Sequence, residues 1–177
     1  MSPDLPNRRS PRLKGYDYRR PGAYFFTTNT AHRECLFGRF ERDRLVRSPF
    51  GDIAHNIWHT LPRRFPGLTL DEFVVMPDHV HGIVWLAEHP LLDAAEATPA
   101  PRPGLANASP GRPLSDLRAV IGTFKSYVTL EINRARSTPG APVWQRSFHE
   151  RVVRSERALA AIRRYIRDNP VRALRGT

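Results

Sequence analysis

Two β-rich runs in this chain are joined by a single turn dipeptide, which leaves them little choice of partner. Leu68–Met76 and His79–Leu86 are rich in branched and aromatic residues, and only Pro77-Asp78 separates them. So short a connection predicts that the two runs pair as neighbouring antiparallel strands. Because side chains two positions apart in a strand point to the same face, the hairpin would present the imidazoles of His79 and His81 side by side.

The remaining pattern places this hairpin in an α+β fold. Apolar residues recur at helical spacing in 50–65, 115–136 and 155–169. Ser115 and Ser155 are predicted helix caps, and the last helix should end near Asn169 because Pro170 follows. Further strands are predicted at 23–30 and 144–154. This order is typical of a ferredoxin-like or RRM-like antiparallel sheet with helices on one face, here followed by a C-terminal helix.

The chain of 177 residues has the size of one domain, 23–177, preceded by a basic arm at 1–22. The arm mixes cations and aromatic rings that suit phosphate contact and base stacking: Arg12, Lys14, Tyr16 and Tyr18. Prolines concentrated at about 88–113 disfavour both helix and sheet, so this segment is predicted to be a flexible insertion.

The charge of the chain points to a polyanionic partner. The formal net charge is +11, and of the 28 lysines and arginines only Lys14 and Lys125 are lysine. The planar guanidinium binds two phosphate oxygens at once and stacks on bases, so the bias favours a nucleic acid. A genome rich in G and C would give the same bias, and composition does not separate DNA from RNA.

The same composition argues against other classes of protein. A lone Cys35 excludes an internal disulfide and a zinc module built from several cysteines. No apolar run approaches the roughly 18 residues of a membrane span, and the N-terminus lacks the apolar core of a secretory signal. A cytoplasmic protein without a membrane partner is therefore expected.

Two residue pairs could carry chemistry. His79 and His81 could hold one divalent metal, although two unrelated strand histidines would look the same. Tyr165 and Asn169 are four apart on the last predicted helix, so a phenol and a carboxamide share one face. An oxygen donor beside two imidazoles suits Mg²⁺ or Mn²⁺. The plainer alternative, a core-edge tyrosine and a C-terminal cap, stays open on spacing alone.

Several motifs in order resemble the REP-associated tyrosine transposases, single-tyrosine members of the HUH endonuclease superfamily, named for histidine, hydrophobic residue, histidine. The main ones are Phe73–Gly82 and Tyr165–Arg172, with shorter ones at 12–18, 34–38, 124–126 and 142–146. The likeness runs from about Arg12 to Arg172, interrupted by the proline-rich insertion. It implies that 23–177 is a single HUH transposase-like catalytic domain ending in a catalytic helix.

The resemblance implies a metal-dependent endonuclease and strand transferase that acts on single-stranded or hairpin DNA through a 5′-phosphotyrosine. Tyr165 matches the nucleophile, His79 and His81 the metal-binding pair, and Asn169 the third ligand of Mg²⁺ or Mn²⁺. Asp78 departs from the asparagine of many members, and it could touch the metal or cap the turn.

Further expectations follow from the resemblance. Lys125 and Arg146 are expected to contact DNA. No nucleotide cofactor is needed, in agreement with the lack of a G-x-x-x-x-G-K loop. The protein would be bacterial and associated with the nucleoid when bound to DNA, as a monomer or a homodimer.

Three alternatives remain at this point. Tyr127 is a rival nucleophile, although it lies beside the apolar stripe of its helix and is interpreted as a packing residue. The chain could bind hairpin nucleic acid with a ferredoxin-like fold and cut nothing. It could also be a zinc hydrolase that uses His79, His81 and His149 with water as the nucleophile.

Overall fold

A computed structural model describes Asp17 and residues 20–42, 44–87 and 116–175. The predicted insertion at 88–113 lies outside the described residues. So do four of the predicted DNA contacts, Arg12, Lys14, Tyr16 and Tyr18.

The described part of the chain contains six strands and three α-helices. The strands are β1 Gly22–Asn29, β2 Gly38–Glu41, β3 Arg44–Arg47, β4 Leu68–Met76, β5 His79–Leu86 and β6 His149–Val153. The helices are α1 Pro49–Thr60, α2 Leu117–Ala135 and α3 Glu156–Arg175, with short 3-10 turns at Ala31–Arg33 and Leu61–Arg63. None of these helices combines the length and apolar character that a bilayer crossing needs.

The four main strands form one antiparallel sheet in the order β4-β5-β1-β6. With α1 between β1 and β4 and α2 between β5 and β6, this is the βαββαβ arrangement of a ferredoxin-like fold. The predicted fold class and the predicted β4–β5 hairpin are confirmed. Sequence analysis missed β2 and β3, which form a separate ribbon, because four-residue strands show too little periodicity to be recognised.

The sheet has helices on both faces. Alternate residues of β1 and β5, among them Tyr24, Phe26 and Val84, pack with α1 and α2 in the larger core. The intervening residues Phe25 and Ile83 pack with α3 in a smaller core on the other face. The first two helices therefore cover one face as predicted, and the C-terminal helix covers the face that bears His79 and His81.

The last helix is longer than predicted. Ser155 caps α3 as expected, with its Oγ accepting from the Ala158 backbone at 3.2 Å, but the helix runs through Pro170 to Arg175. A proline inside a helix removes one main-chain hydrogen bond and costs about 3 kcal/mol, which continued packing can offset. The half-buried Ala173 and Leu174 show that packing continues past the proline.

The last strand is shorter than predicted. Trp144 makes only an isolated bridge to Thr30, and the regular strand begins at His149. The carbonyl of Gln145 is bound at 2.7 Å by the Lys125 amino group, so it is not part of a sheet ladder. The cap of α2 also differs: the Asp116 side chain accepts from the Arg118 backbone, whereas Ser115 lies outside the described residues.

Gly82, next to the second histidine, is packed too tightly for a side chain. A Cβ there would lie 2.6 Å from a ring atom of Phe26 and 3.0 Å from one of Phe73. We expect Gly82→Ala to lower the free energy of unfolding by about 1–3 kcal/mol, measured by urea denaturation, because overpacking forces neighbouring rings to move.

Gly122→Ala is the matched control, because no atom lies within 4 Å of the Cβ position at that exposed site in α2. It should instead raise the free energy of unfolding by about 0.5–1 kcal/mol, since alanine favours a helix over glycine. Equal stability of Gly82→Ala and the wild type would contradict the packing described for β5.

Candidate active site

The two histidines of β5 converge on each other. The Nε2 atoms of His79 and His81 lie 3.1 Å apart, and the rings are steeply inclined, at 73°. His81 is buried, with 5% of its surface exposed, whereas His79 is half-buried. The strand alternation predicted that both rings share a face, and the structure brings their distal nitrogens into contact distance.

Each ring is held through its other nitrogen. Nδ1 of His81 lies 2.7 Å from the Thr27 hydroxyl, and Nδ1 of His79 lies 2.6 Å from a carboxylate oxygen of Asp78. The second oxygen of Asp78 pairs with Arg33 at 3.0 Å. Asp78 therefore orients the His79 ring through Nδ1, and the two Nε2 atoms remain directed towards each other.

This geometry fits a shared metal ion. Neighbouring ligands at about 2.1 Å from an octahedral ion lie about 3.0 Å apart, close to the separation of the two Nε2 atoms. Metal-binding imidazoles commonly have their second nitrogen held by a carboxylate or another oxygen, as His79 and His81 do. The donor set of these residues therefore suits a divalent cation.

His81 has the neutral protonation state that metal binding requires. Burial, together with the nearby positive charges of His79 and Arg33, lowers the pKa of His81 from 6.5 to about 3, although Asp78 acts in the opposite direction. The ring is therefore neutral at physiological pH, and its lone pair is available to a cation.

Tyr165 lies beside the histidine pair. Its hydroxyl is 3.4 Å from Nε2 of His81, and its ring packs edge-on against those of His81 and Phe25. Tyr165 is 39% exposed, so part of its side chain is open to solvent. Tyrosine and histidines come from the same chain, 84 residues apart in sequence.

Asn169 follows Tyr165 by one helical turn and is half-buried. Among the described residues it makes no hydrogen bond to either imidazole. The ion pairs of α3 with β4 indicate that the helix runs in the direction of β4, towards the hairpin turn that bears His79. Asn169 therefore lies on the side of Tyr165 nearer that turn.

Two ion pairs on either side of Tyr165 attach α3 to the sheet. Arg163 donates three hydrogen bonds to Asp71, at 2.9, 3.2 and 2.6 Å, and Arg167 pairs with Glu72 at 2.7 Å. Asp71 and Glu72 lie at a bulge in β4, where the register with β5 shifts by one residue. The extra residue lets two consecutive carboxylates reach one helix, which a regular strand would prevent.

The other candidates lie elsewhere. His149 is separated from His81 by β1, so the strands bearing them are about 10 Å apart. In the described ranges no three His, Cys, Asp or Glu side chains are grouped to hold a metal. Tyr127 lies on α2, behind the sheet, with its hydroxyl bonded to Arg64 at 2.7 Å.

Sequence analysis missed Thr27, Asp71 and Arg163. A threonine two residues from the end of the first strand gives no sign that it will pair with His81. Asp71 and Glu72 did offer a signal, since two consecutive acids inside a β-rich run break its alternation and favour a bulge.

The Asp71 contact supplies a test of how α3 is attached. Partial burial raises the pKa of this carboxyl, but hydrogen bonds from Arg163, Trp85 and the Glu72 backbone outweigh it, so the pKa lies below 3.8. We expect Asp71→Asn to cost about 1–2 kcal/mol of stability at neutral pH. Because the charged carboxylate is the stabilising form, the difference from wild type should shrink as the pH falls below 3.8.

Thermal unfolding across this pH range measures the effect, with Asp52→Asn as the control. Asp52 forms a more exposed ion pair with Arg47 at 2.8 Å, so its loss should cost less than about 0.5–1 kcal/mol. A cost for Asp71→Asn no greater than for Asp52→Asn would show that the bulge does not hold the helix.

Comparison with known proteins places this geometry in context. No profile of a known protein family matches the chain. An uncharacterized protein of Haemophilus influenzae is 33% identical over 172 residues, which cover 93% of this chain and 89% of the relative. The structure of a REP-associated tyrosine transposase bound to a REP hairpin has 20% identity and a TM-score of 0.59, covering 92% of this chain and 73% of that one.

A candidate transposase from Deinococcus radiodurans has 21% identity over 89% of this chain and 95% of its own, with a TM-score of 0.40 that is too low to support a conclusion. The transposase bound to a hairpin shares the fold, in agreement with the fold that the sequence predicts. The chain therefore belongs to one family with the Haemophilus influenzae protein, and it has the fold of the REP-associated tyrosine transposases.

Proposed function

We propose that this chain is a metal-dependent DNA strand transferase that cuts and rejoins single-stranded or hairpin DNA with Tyr165 as its nucleophile. The observation that supports it most directly is the 3.4 Å distance between the Tyr165 hydroxyl and Nε2 of His81. That nitrogen in turn lies 3.1 Å from Nε2 of His79. An accessible phenol beside two converging imidazoles is suited to attack on a phosphodiester held at the same point.

The substrate is inferred from two further observations. The transposase with the same fold is bound to a REP hairpin, and the motifs of this chain resemble that group. The net charge of +11, supplied mainly by arginine, favours a polyanion. Hairpin DNA with a flanking single strand is polyanionic and resembles the DNA bound by that transposase, so we take it as the substrate class.

The metal is proposed from the donor set. His79 and His81 would hold Mg²⁺ or Mn²⁺ through Nε2, and Asn169 would add an amide oxygen. When bound, such an ion withdraws charge from the phosphodiester oxygens and makes phosphorus easier to attack. Thr27 and Asp78 would keep the two rings oriented.

Tyr165 then exchanges one phosphodiester for another. Its oxygen forms a bond to phosphorus, the bond from phosphorus to the 3′ oxygen breaks, and the departing 3′ oxygen takes up the phenol proton. The product is a 5′-phosphotyrosine and a free 3′ hydroxyl. Because the covalent link keeps the bond energy, reversal of the step joins strands without ATP.

Covalent trapping tests the nucleophile. Incubation with a labelled hairpin oligonucleotide and Mn²⁺ should give a protein–DNA adduct that is resolved on a denaturing gel. Tyr165→Phe should remove the adduct entirely while leaving most DNA binding, because the phenol oxygen forms the bond and the arginines supply affinity.

Tyr127→Phe is the matched control and should leave the adduct, since that hydroxyl bonds to Arg64 on the other face of the sheet. A binding protein without catalysis would give no adduct in any variant. A water-using hydrolase would cut DNA equally well after Tyr165→Phe, and either result would refute the proposal.

Metal binding gives a readout that is independent of activity. In calorimetric titration with Mn²⁺, His81→Ala should abolish binding, and Thr27→Val should weaken it about 10- to 100-fold because the ring loses its hydrogen-bond partner. His149→Ala is the control and should bind normally, as its strand is separated from that of His81 by β1. Unchanged affinity in His81→Ala would exclude the proposed site.

A further inference from the structure

A second concave surface lies between α2 and the segment that leads into β6. The outer side of α2 and the segment 137–146 enclose an open groove of about 820 Å³. This is near the upper end of the roughly 300–1,000 Å³ found for ligand pockets. None of the contacts proposed for the histidine site uses this groove.

All the charged residues that line the groove are cationic. Its lining includes Lys125, Arg134 and Arg146 and no acidic residue. In the described part of the chain neither guanidinium has an ion-pair partner, whereas Arg163 and Arg167 are neutralised by carboxylates of β4. Two unpaired guanidinium groups facing one groove indicate an anionic ligand.

The rest of the lining suits a nucleotide chain better than a small anion. Thr129 and Ser137 contribute hydroxyl groups and Leu130 contributes apolar surface, whereas the Trp144 ring is buried against Phe37 and Phe124. Leu130 is 59% exposed, so its side chain is open to contact from the groove. A cationic groove that follows the phosphate backbone is a feature with which proteins bind single strands.

Lys125 fixes the wall of the groove. Its amino group donates to the carbonyl of Gln145 at 2.7 Å and approaches that of Arg146 at 3.4 Å. Burial lowers the pKa of Lys125 to about 8, so the group still carries its charge at neutral pH. The lysine therefore holds the segment that presents Arg146 and adds positive charge behind it.

The same segment connects the groove to the histidine site. The Gln145 backbone donates to the Asn29 carbonyl at 2.9 Å, and Asn29 pairs with His79 across the sheet. Two strand spacings, about 10 Å, thus separate Gln145 from His79. The groove lies on the α2 side of the sheet and Tyr165 on the α3 side, so a strand held at both would have to cross this edge.

We propose that this groove binds a single-stranded segment of the DNA substrate adjoining the point of cleavage, with Arg134 and Arg146 contacting its phosphates. The inference rests on the proposed function, because it assumes that DNA occupies the histidine site. It adds a second binding surface, which would hold the strand on one side of the cut while the other side is covalently attached.

The salt dependence of binding tests the proposal. Arg134→Ala and Arg146→Ala should each weaken binding of a fluorescent oligothymidylate several-fold, measured by anisotropy. Each should also reduce the slope of log affinity against log salt by about 0.7, and the double variant by about 1.4, the value expected for lost phosphate contacts on a single strand. Arg63→Ala removes an exposed charge outside the groove lining and should leave the slope unchanged.

Cross-linking places the strand independently. Leu130→Cys in a Cys35→Ser background, labelled with a photoreactive group, should cross-link to the DNA that Tyr165 attacks. A cross-link to that strand supports the groove. Normal slopes in the double variant and no cross-link at Leu130 would overturn it.

These experiments distinguish failure of the groove proposal from failure of the proposed strand transfer. If groove variants bind normally but Tyr165 still forms its adduct, the groove proposal fails and the strand transferase stands. If the groove variants lose affinity and no adduct forms in the wild type, the groove stands as a binding surface and the transferase fails. Wild-type protein that binds no DNA would refute both.

Discussion

The pairing of β5 with β1 is the contact on which the site depends. Its register aligns Thr27 with His81 and Asn29 with His79, so both imidazoles lie on the face covered by α3. A slip by one residue would turn both rings into the core beneath α1 and α2. The same register places the Thr27 hydroxyl beside His81. The β1–β5 pairing therefore determines both where the His81 ring lies and how it is oriented.

The position of the tyrosine depends on a local irregularity. A regular β4 would point Asp71 and Glu72 to opposite faces, and only one could reach α3. The bulge brings both within reach of arginines that flank Tyr165. The small core around Phe25 and Ile83 buries the apolar side of α3, and the ion pairs fix where along the sheet the helix lies.

The arginines divide into two groups with different physical roles. Some, such as Arg33 and Arg163, are neutralised by carboxylates and serve to position Asp78 and α3. Others, such as Arg134 and Arg146, face the groove without an ion-pair partner among the described residues, and they remain available to an anion. Net charge alone does not separate these roles, because it counts both groups equally.

The sequence by itself determined the hairpin, the ferredoxin-like order of elements and the shared face of His79 and His81, because strand alternation and short turns are local properties. It did not determine that α3 continues through Pro170, nor the roles of Thr27 and Asp78. Only the tertiary structure decided that Tyr165 meets the histidines, because residues 84 apart in sequence approach each other through sheet register and helix docking. Such contacts depend on the whole packing of the chain, which no local pattern encodes.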